Sequence, residues 1–147
     1  MLIAYEDDII EWSKEQANLL RSGNLSAIDI EHIAEEIEDV GKSEQRELAN
    51  RMVVLMTHLL KWHFQPARQG SSWERTIKEQ RNSILRRLKN TPSLKKSLTD
   101  EEWLADIWLD ARLAAEKETQ IDFDKFPNEL MWKIDTILTD SWLPNTD

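Results

Sequence analysis

No cysteine occurs in the 147 residues. That excludes a disulfide framework, a thiolate nucleophile and a Cys-based metal site, and it suits a reducing compartment. Glycine and proline are scarce, at three and four residues. Sheet proteins need more turn residues than this, and no stretch alternates polar and apolar positions for long, so the pattern points to an all-α fold. No apolar run approaches the roughly 18 to 20 residues of a membrane span, because Arg51, Thr57, His58 and Lys61 interrupt the longest one. The opening MLIAYEDDII lacks a basic segment ahead of an apolar one, so no secretory signal is read and a cytoplasmic location is expected. Also absent are a Gly-rich phosphate loop, a GxSxG nucleophile elbow and an HExxH zinc motif.

A chain of this length reads as one helical domain over residues 1–147, long enough to bury a core without staples. The net charge of −9 is unevenly spread. Residues 1–50 carry 13 acids and 4 bases, residues 51–96 carry 2 and 11, and residues 97–147 carry 13 and 4. One reading packs acidic flanks beside a basic centre; the other makes segment 51–96 a face for nucleic acid or another anion, a partner the overall acidity opposes.

Helical periodicity organises most of the chain. A first helix spans about Asp7 to Ser22, with Ile9, Trp12, Gln16 and Leu19/Leu20 on one face and Gly23 as a left-handed stop. A second carries Ile30, Ile33, Ala34, Ile37 and Val40 at helical spacing, is expected to bury that stripe, and stops at Gly41. A third opens at Ser43 and ends before Pro66. Leu48, Met52, Val53, Val54, Leu55, Met56, Leu59 and Leu60 cover nearly its whole circumference, which makes it the central helix. A fourth helix is capped at Ser71, and a fifth at Thr99 with Glu102. A short helix over Glu129–Leu138 and aromatic anchors at Phe123, Phe126, Trp132 and Trp142 complete the tail. The expected fold is a compact bundle of about five main helices with a docked C-terminal tail.

Four residues, Glu36, His58, His63 and Gln80, are polar where the stripes ask for apolar side chains or at a stripe's edge. The simpler reading is a structural network, since a buried Gln amide without partners costs roughly 1–3 kcal/mol. The sharper reading is a pocket for a small ligand, built from Glu36, His58, Trp62, Trp73, Gln80 and Arg81 between the second, third and fourth helices. As catalysis, His58 would be the acid/base, oriented by Glu36 or Glu47, in a hydrolase or RNase-like reaction; no nucleophile is identified, so enzyme activity is left open. No metal or other cofactor is expected. His32 and Glu36 have ligand spacing but His32 points away from its stripe, and the residues three positions before His58 and His63 are Leu55 and Leu60, so a Glu-x-x-His unit is absent. Seven tryptophans supply core anchors or, if they pave one face, a surface for a protein partner or a second copy. A membrane partner is not expected.

The chain resembles the bacterial family called domain of unknown function 29. The resemblance lies in Tyr5-Glu-Asp-Asp with Trp12, IAEEIEDVGKSEQREL (Ile33–Leu48), HLLKWHFQP (His58–Pro66), SSWERTIKEQR (Ser71–Arg81), TPSL (Thr91–Leu94), and the FP and LP dipeptides at Phe126 and Leu143. It implies a compact all-helical, stand-alone small protein and brings no established activity. The family's position after Trp62 is not restricted to His, which removes His63 from any shared role. The function expected is therefore that of an uncharacterised interaction or small-ligand-binding module.

Overall fold

The computed structural model describes residues 2–145. Among these the chain is all-α: α1 (Ile9–Arg21), α2 (Ile30–Phe64), α3 (Ser71–Asn90), α4 (Glu101–Thr119) and the single turn α5 (Ile134–Ile137), linked by short 3-10 segments. Among the described residues no helix is long and apolar enough to cross a membrane. Two compact units are distinguished, one ending at Glu44 and one beginning at Gln45.

Asp8 starts α1 by accepting hydrogen bonds from the Ile10 and Glu11 N–H groups, and Gly23 at φ +75° lets the chain turn away at its end. Asp29 starts α2: its Oδ1 accepts from His32 N–H, while its own N–H donates to Gln16 Oε1 at 2.7 Å. The expected break at Gly41 does not occur, and α2 runs through Gly41 and Ser43 without interruption. A helix-interior glycine costs only about 1 kcal/mol against alanine, too little to end a helix whose later turns are firmly buried.

The rotation of the first turns of α2 also differs from expectation. Its inner face is His32, Ile33 and Glu36, and the apolar stripe points out: Ile30 is 66 %, Ile37 67 % and Val40 66 % exposed. Tyr5 and Trp12 explain this, because hydrogen-bonding rings select the polar face of α2 as their partner.

The second unit is organised by the latter half of α2. Leu48, Met52, Leu55, Met56, Leu59 and Leu60 are fully buried among Ile77, Ile84 and Leu88 of α3 and Ile107, Trp108, Ala111 and Ala115 of α4. Polar residues on the same helix are accommodated individually. Thr57 Oγ1 donates back to Val53 O at 2.6 Å, and Lys61 lies over the Trp73 ring at 4.8 Å, with Glu118 at 3.8 Å. Asp100, rather than Thr99, caps α4 by accepting from Glu102 and Trp103 N–H; Gly70 precedes α3, leaving Ser71 as its first residue.

The tail docks with little helix of its own. Only Ile134–Ile137 is helical, not Glu129–Leu138, because Leu130, Met131 and Trp132 all pack against the core. Three consecutive helical residues fan out at roughly 100° steps and could not all face one way. Its carbonyls are taken by side chains: Arg81 Nε donates to Ile137 O at 2.9 Å and Nη2 to Trp142 O at 2.8 Å, Trp108 Nε1 to Pro127 O at 2.9 Å, and Arg112 Nη2 to Phe126 O at 3.3 Å.

Glycine substitutions test the continuity of α2. A Cβ at Gly41 meets no atom within 4 Å, so Gly41→Ala is expected to raise stability in urea unfolding by roughly 0.5–1 kcal/mol. Gly23→Ala, forced into the left-handed region, is expected to lower it. A destabilised Gly41→Ala protein contradicts an uninterrupted helix.

Candidate functional site

The candidate residues fall into separate settings. Glu36 belongs to the first unit, where its Oε1 accepts the Tyr5 hydroxyl at 2.6 Å. In the second unit Glu47 Oε1 meets Arg51 Nε at 3.1 Å and Arg87 Nη2 at 3.3 Å, and Arg51 Nη1 donates to Gln80 Oε1 at 3.4 Å. Glu47 and Gln80 are thus brought together through Arg51, tying α2 to α3. Trp62 packs against the core and its carbonyl accepts from Gln69, Trp73 lies beneath Lys61, and Arg81 holds the tail. His63 sits edge-on to Phe64 and Trp132.

His58 is set apart from these residues, on the side of α2 next to α4. It lines a groove of about 460 Å³ with Val53, Val54, Thr57, Ala114, Lys117 and Glu118. Its Nδ1 lies 2.9 Å from Val54 O, so the ring nitrogen there carries the hydrogen and the neutral ring keeps Nε2 as an acceptor. Burial holds the imidazole pKa below its ordinary value and Lys61 adds to this, against the opposing effects of the Val54 carbonyl and Glu118. A neutral acceptor on a largely apolar wall, with one cation and one carboxylate at hand, can orient a ligand or take a proton. Glu118 was not legible as its neighbour, because pairing α2 with α4 is a tertiary fact.

A second cluster, in the first unit, centres on His32. Its Nδ1 lies 2.7 Å from Asp29 Oδ2, and its Nε2 lies 3.1 Å from Glu6 Oε1. The ring stacks on Tyr5 at 4.2 Å, while Trp12 stands edge-on to both and donates from Nε1 to Asp29 Oδ2 at 3.0 Å. Hydrogen bonding to Asp29 raises the His32 pKa; desolvation opposes this, while the charges of Asp29, Glu6 and Glu35 reinforce it. Burial pushes the Asp29 carboxyl up, but the bonds from His32 and Trp12 outweigh it and leave the group below its ordinary value. The Tyr5 hydroxyl, donating to Glu36, is pushed up to about 12. His32 and Glu36, which share metal-ligand spacing, are therefore engaged by different partners. Among the described residues no group of three or more His, Asp or Glu side chains is arranged to hold a metal ion.

With this geometry in place, comparison with known families decides the chain's relationship: the model of the domain of unknown function DUF29 matches residues 4–143. The chain belongs to the DUF29 family. That match spans both units, from Ala4 to Leu143. Searches of curated proteins and of solved structures return no match. Several residues that carry the DUF29 resemblance, among them Tyr5, Trp12, Glu36, Glu47, Lys61, Trp73, Gln80 and Arg81, lie in the networks just described.

The two histidines differ in a measurable way. By NMR, His32 is expected to titrate above and His58 below the ordinary value of 6.5. The contribution of His32 to stability is then fully present below about pH 6.5 and is lost as pH rises through its folded pKa. The contribution of His58 has the opposite sense: present above the ordinary value and lost as pH falls through the lowered one. A His32→Gln variant that keeps the wild-type alkaline loss of stability contradicts this assignment.

Proposed function

We propose that this DUF29 protein is a protein-interaction module whose first unit docks on a basic, partly apolar surface of a partner protein. The observation that carries this reading is the outward apolar stripe of α2. A helix stripe of Ile30, Ile37 and Val40 left two-thirds exposed contributes nothing to its own unit's interior. Of the eleven large apolar side chains exposed among the described residues, eight lie in the first unit, which marks that unit as the one lacking a cover.

Charge supplies the partner's chemistry. Residues 1–44 hold 12 acids and 3 bases, a net charge of −9, while residues 45–147 hold 16 of each. Exposed Glu31, Glu35, Glu38 and Asp39 accompany the stripe on α2. An acidic rim with an apolar centre favours a cationic surface with apolar side chains at its middle, and disfavours nucleic acid.

A second reading, catalysis with His58 as general acid/base, is favoured by its free Nε2 in the groove. There the nearby carboxylate is Glu118, while Glu47 is committed to Arg51 and Arg87.

The interaction reading is tested with Ile37→Asp and a Glu31/Glu35/Glu38→Lys triple in the full chain. Both change exposed side chains, so helicity by circular dichroism is expected to stay at the wild-type level. A partner recovered by affinity purification, then purified and titrated, is expected to bind at least tenfold more weakly to each variant and to lose affinity as salt rises. Equal binding by wild type and variants, or a salt-independent partner, refutes the proposal.

A further inference from the structure

Distinct from the His58 groove, a cleft of about 480 Å³ runs beside α3 in the second unit. Ser71, Glu74, Arg75, Lys78 and Arg81 recur at three- and four-residue spacing and form one wall; Asp140, Ser141 and Leu143 form the other, with Ile77 also lining the cleft. The volume is in the range of small-molecule sites.

We propose that this cleft binds a small monocarboxylate with an apolar body, the carboxylate facing Arg75, Lys78 and Arg81 and the body resting on Ile77 and Leu143. Arg81 is the first reason. It is only 2 % exposed, and its Nε and Nη2 are engaged by two neutral carbonyls, leaving no carboxylate within ion-pair distance among the described residues. Burial works against its charge, and only Asp140 offsets this from a distance. A buried guanidinium with neutral partners is electrostatically under-compensated, and Nη1, which makes no hydrogen bond among the described residues, is the donor left for a carboxylate.

The remaining charges set the ligand's valence. Among the described residues of the lining three cations face two carboxylates, Glu74 and Asp140, a surplus of one positive charge. One negative charge balances it. Glu74 and Asp140, both exposed, would repel the further charges of a polyphosphate or a nucleic-acid backbone. Ile77 and Leu143 supply apolar wall that neither inorganic phosphate nor sulfate can use.

The test is an NMR titration of the full chain with hexanoate, with hexanol, hexylamine and inorganic phosphate as separate arms. Hexanoate is expected to saturate shifts at Ile77, Lys78, Ser141, Leu143 and the Arg81 side chain. Hexanol and phosphate are expected to bind at least tenfold more weakly, and hexylamine not at all. The Arg75→Ala/Lys78→Ala double variant alters two exposed residues and should remain folded with its hexanoate affinity at least tenfold lower; Lys89→Ala, exposed outside the cleft lining, should not change it. Absence of hexanoate shifts at these positions overturns the proposal. So does hexanol binding as tightly as hexanoate, phosphate binding more tightly, or a folded double variant with unchanged affinity.

Discussion

Between Leu48 and Leu60, α2 carries apolar side chains around most of its circumference, and the rest of the second unit depends on covering them. Each large side chain so buried contributes about 1.5–3 kcal/mol, which no single neighbouring helix could secure. Helices α3 and α4 and the mostly irregular tail therefore share the task. The polar residues on the same stretch survive because each has a specific outlet: Thr57 a carbonyl one turn back, Lys61 a tryptophan face and a carboxylate. Replacing one of these outlets would leave a buried polar group without compensation.

The tail shows how irregular backbone is kept on a core. Its carbonyls at Phe126, Pro127, Ile137 and Trp142 have side-chain donors in Arg112, Trp108 and Arg81, all rooted on α3 or α4. These bonds do for the tail what intrahelical bonds do elsewhere, satisfying buried backbone groups. They also leave Arg81 both a structural clamp and a wall of a cleft.

The first unit follows a different principle. Its interior is a hydrogen-bonded aromatic cluster of Tyr5, Trp12 and His32 with Asp29, Gln16 and Glu36, and its apolar stripe lies outside. Such a network fixes orientation through directional bonds but buries little apolar area, so the unit keeps apolar surface exposed. Its concentration of acids gives that surface a sign.

Helix content, the stop at Gly23 and the central position of the Leu48–Leu60 stretch were legible in the sequence, because they rest on local propensity and on a period that shows which residues share a face. Tryptophan-rich tail anchoring was legible for the same reason: large apolar rings seldom stay exposed. The continuity of α2 through Gly41 was not, since about 1 kcal/mol of local preference yields to packing farther along the helix. Which face of α2 turns inward in the first unit was decided by Tyr5 and Trp12, whose hydrogen-bonding needs outweighed an apolar stripe that reads as core. Likewise, the sequence marked Glu36, His58, His63 and Gln80 as polar exceptions and Arg81 as a candidate beside Gln80, but only tertiary structure paired Glu36 with Tyr5, Gln80 with Arg51, Arg81 with the tail and His58 with the α4 wall that holds Glu118, because partners distant in sequence leave no periodic trace.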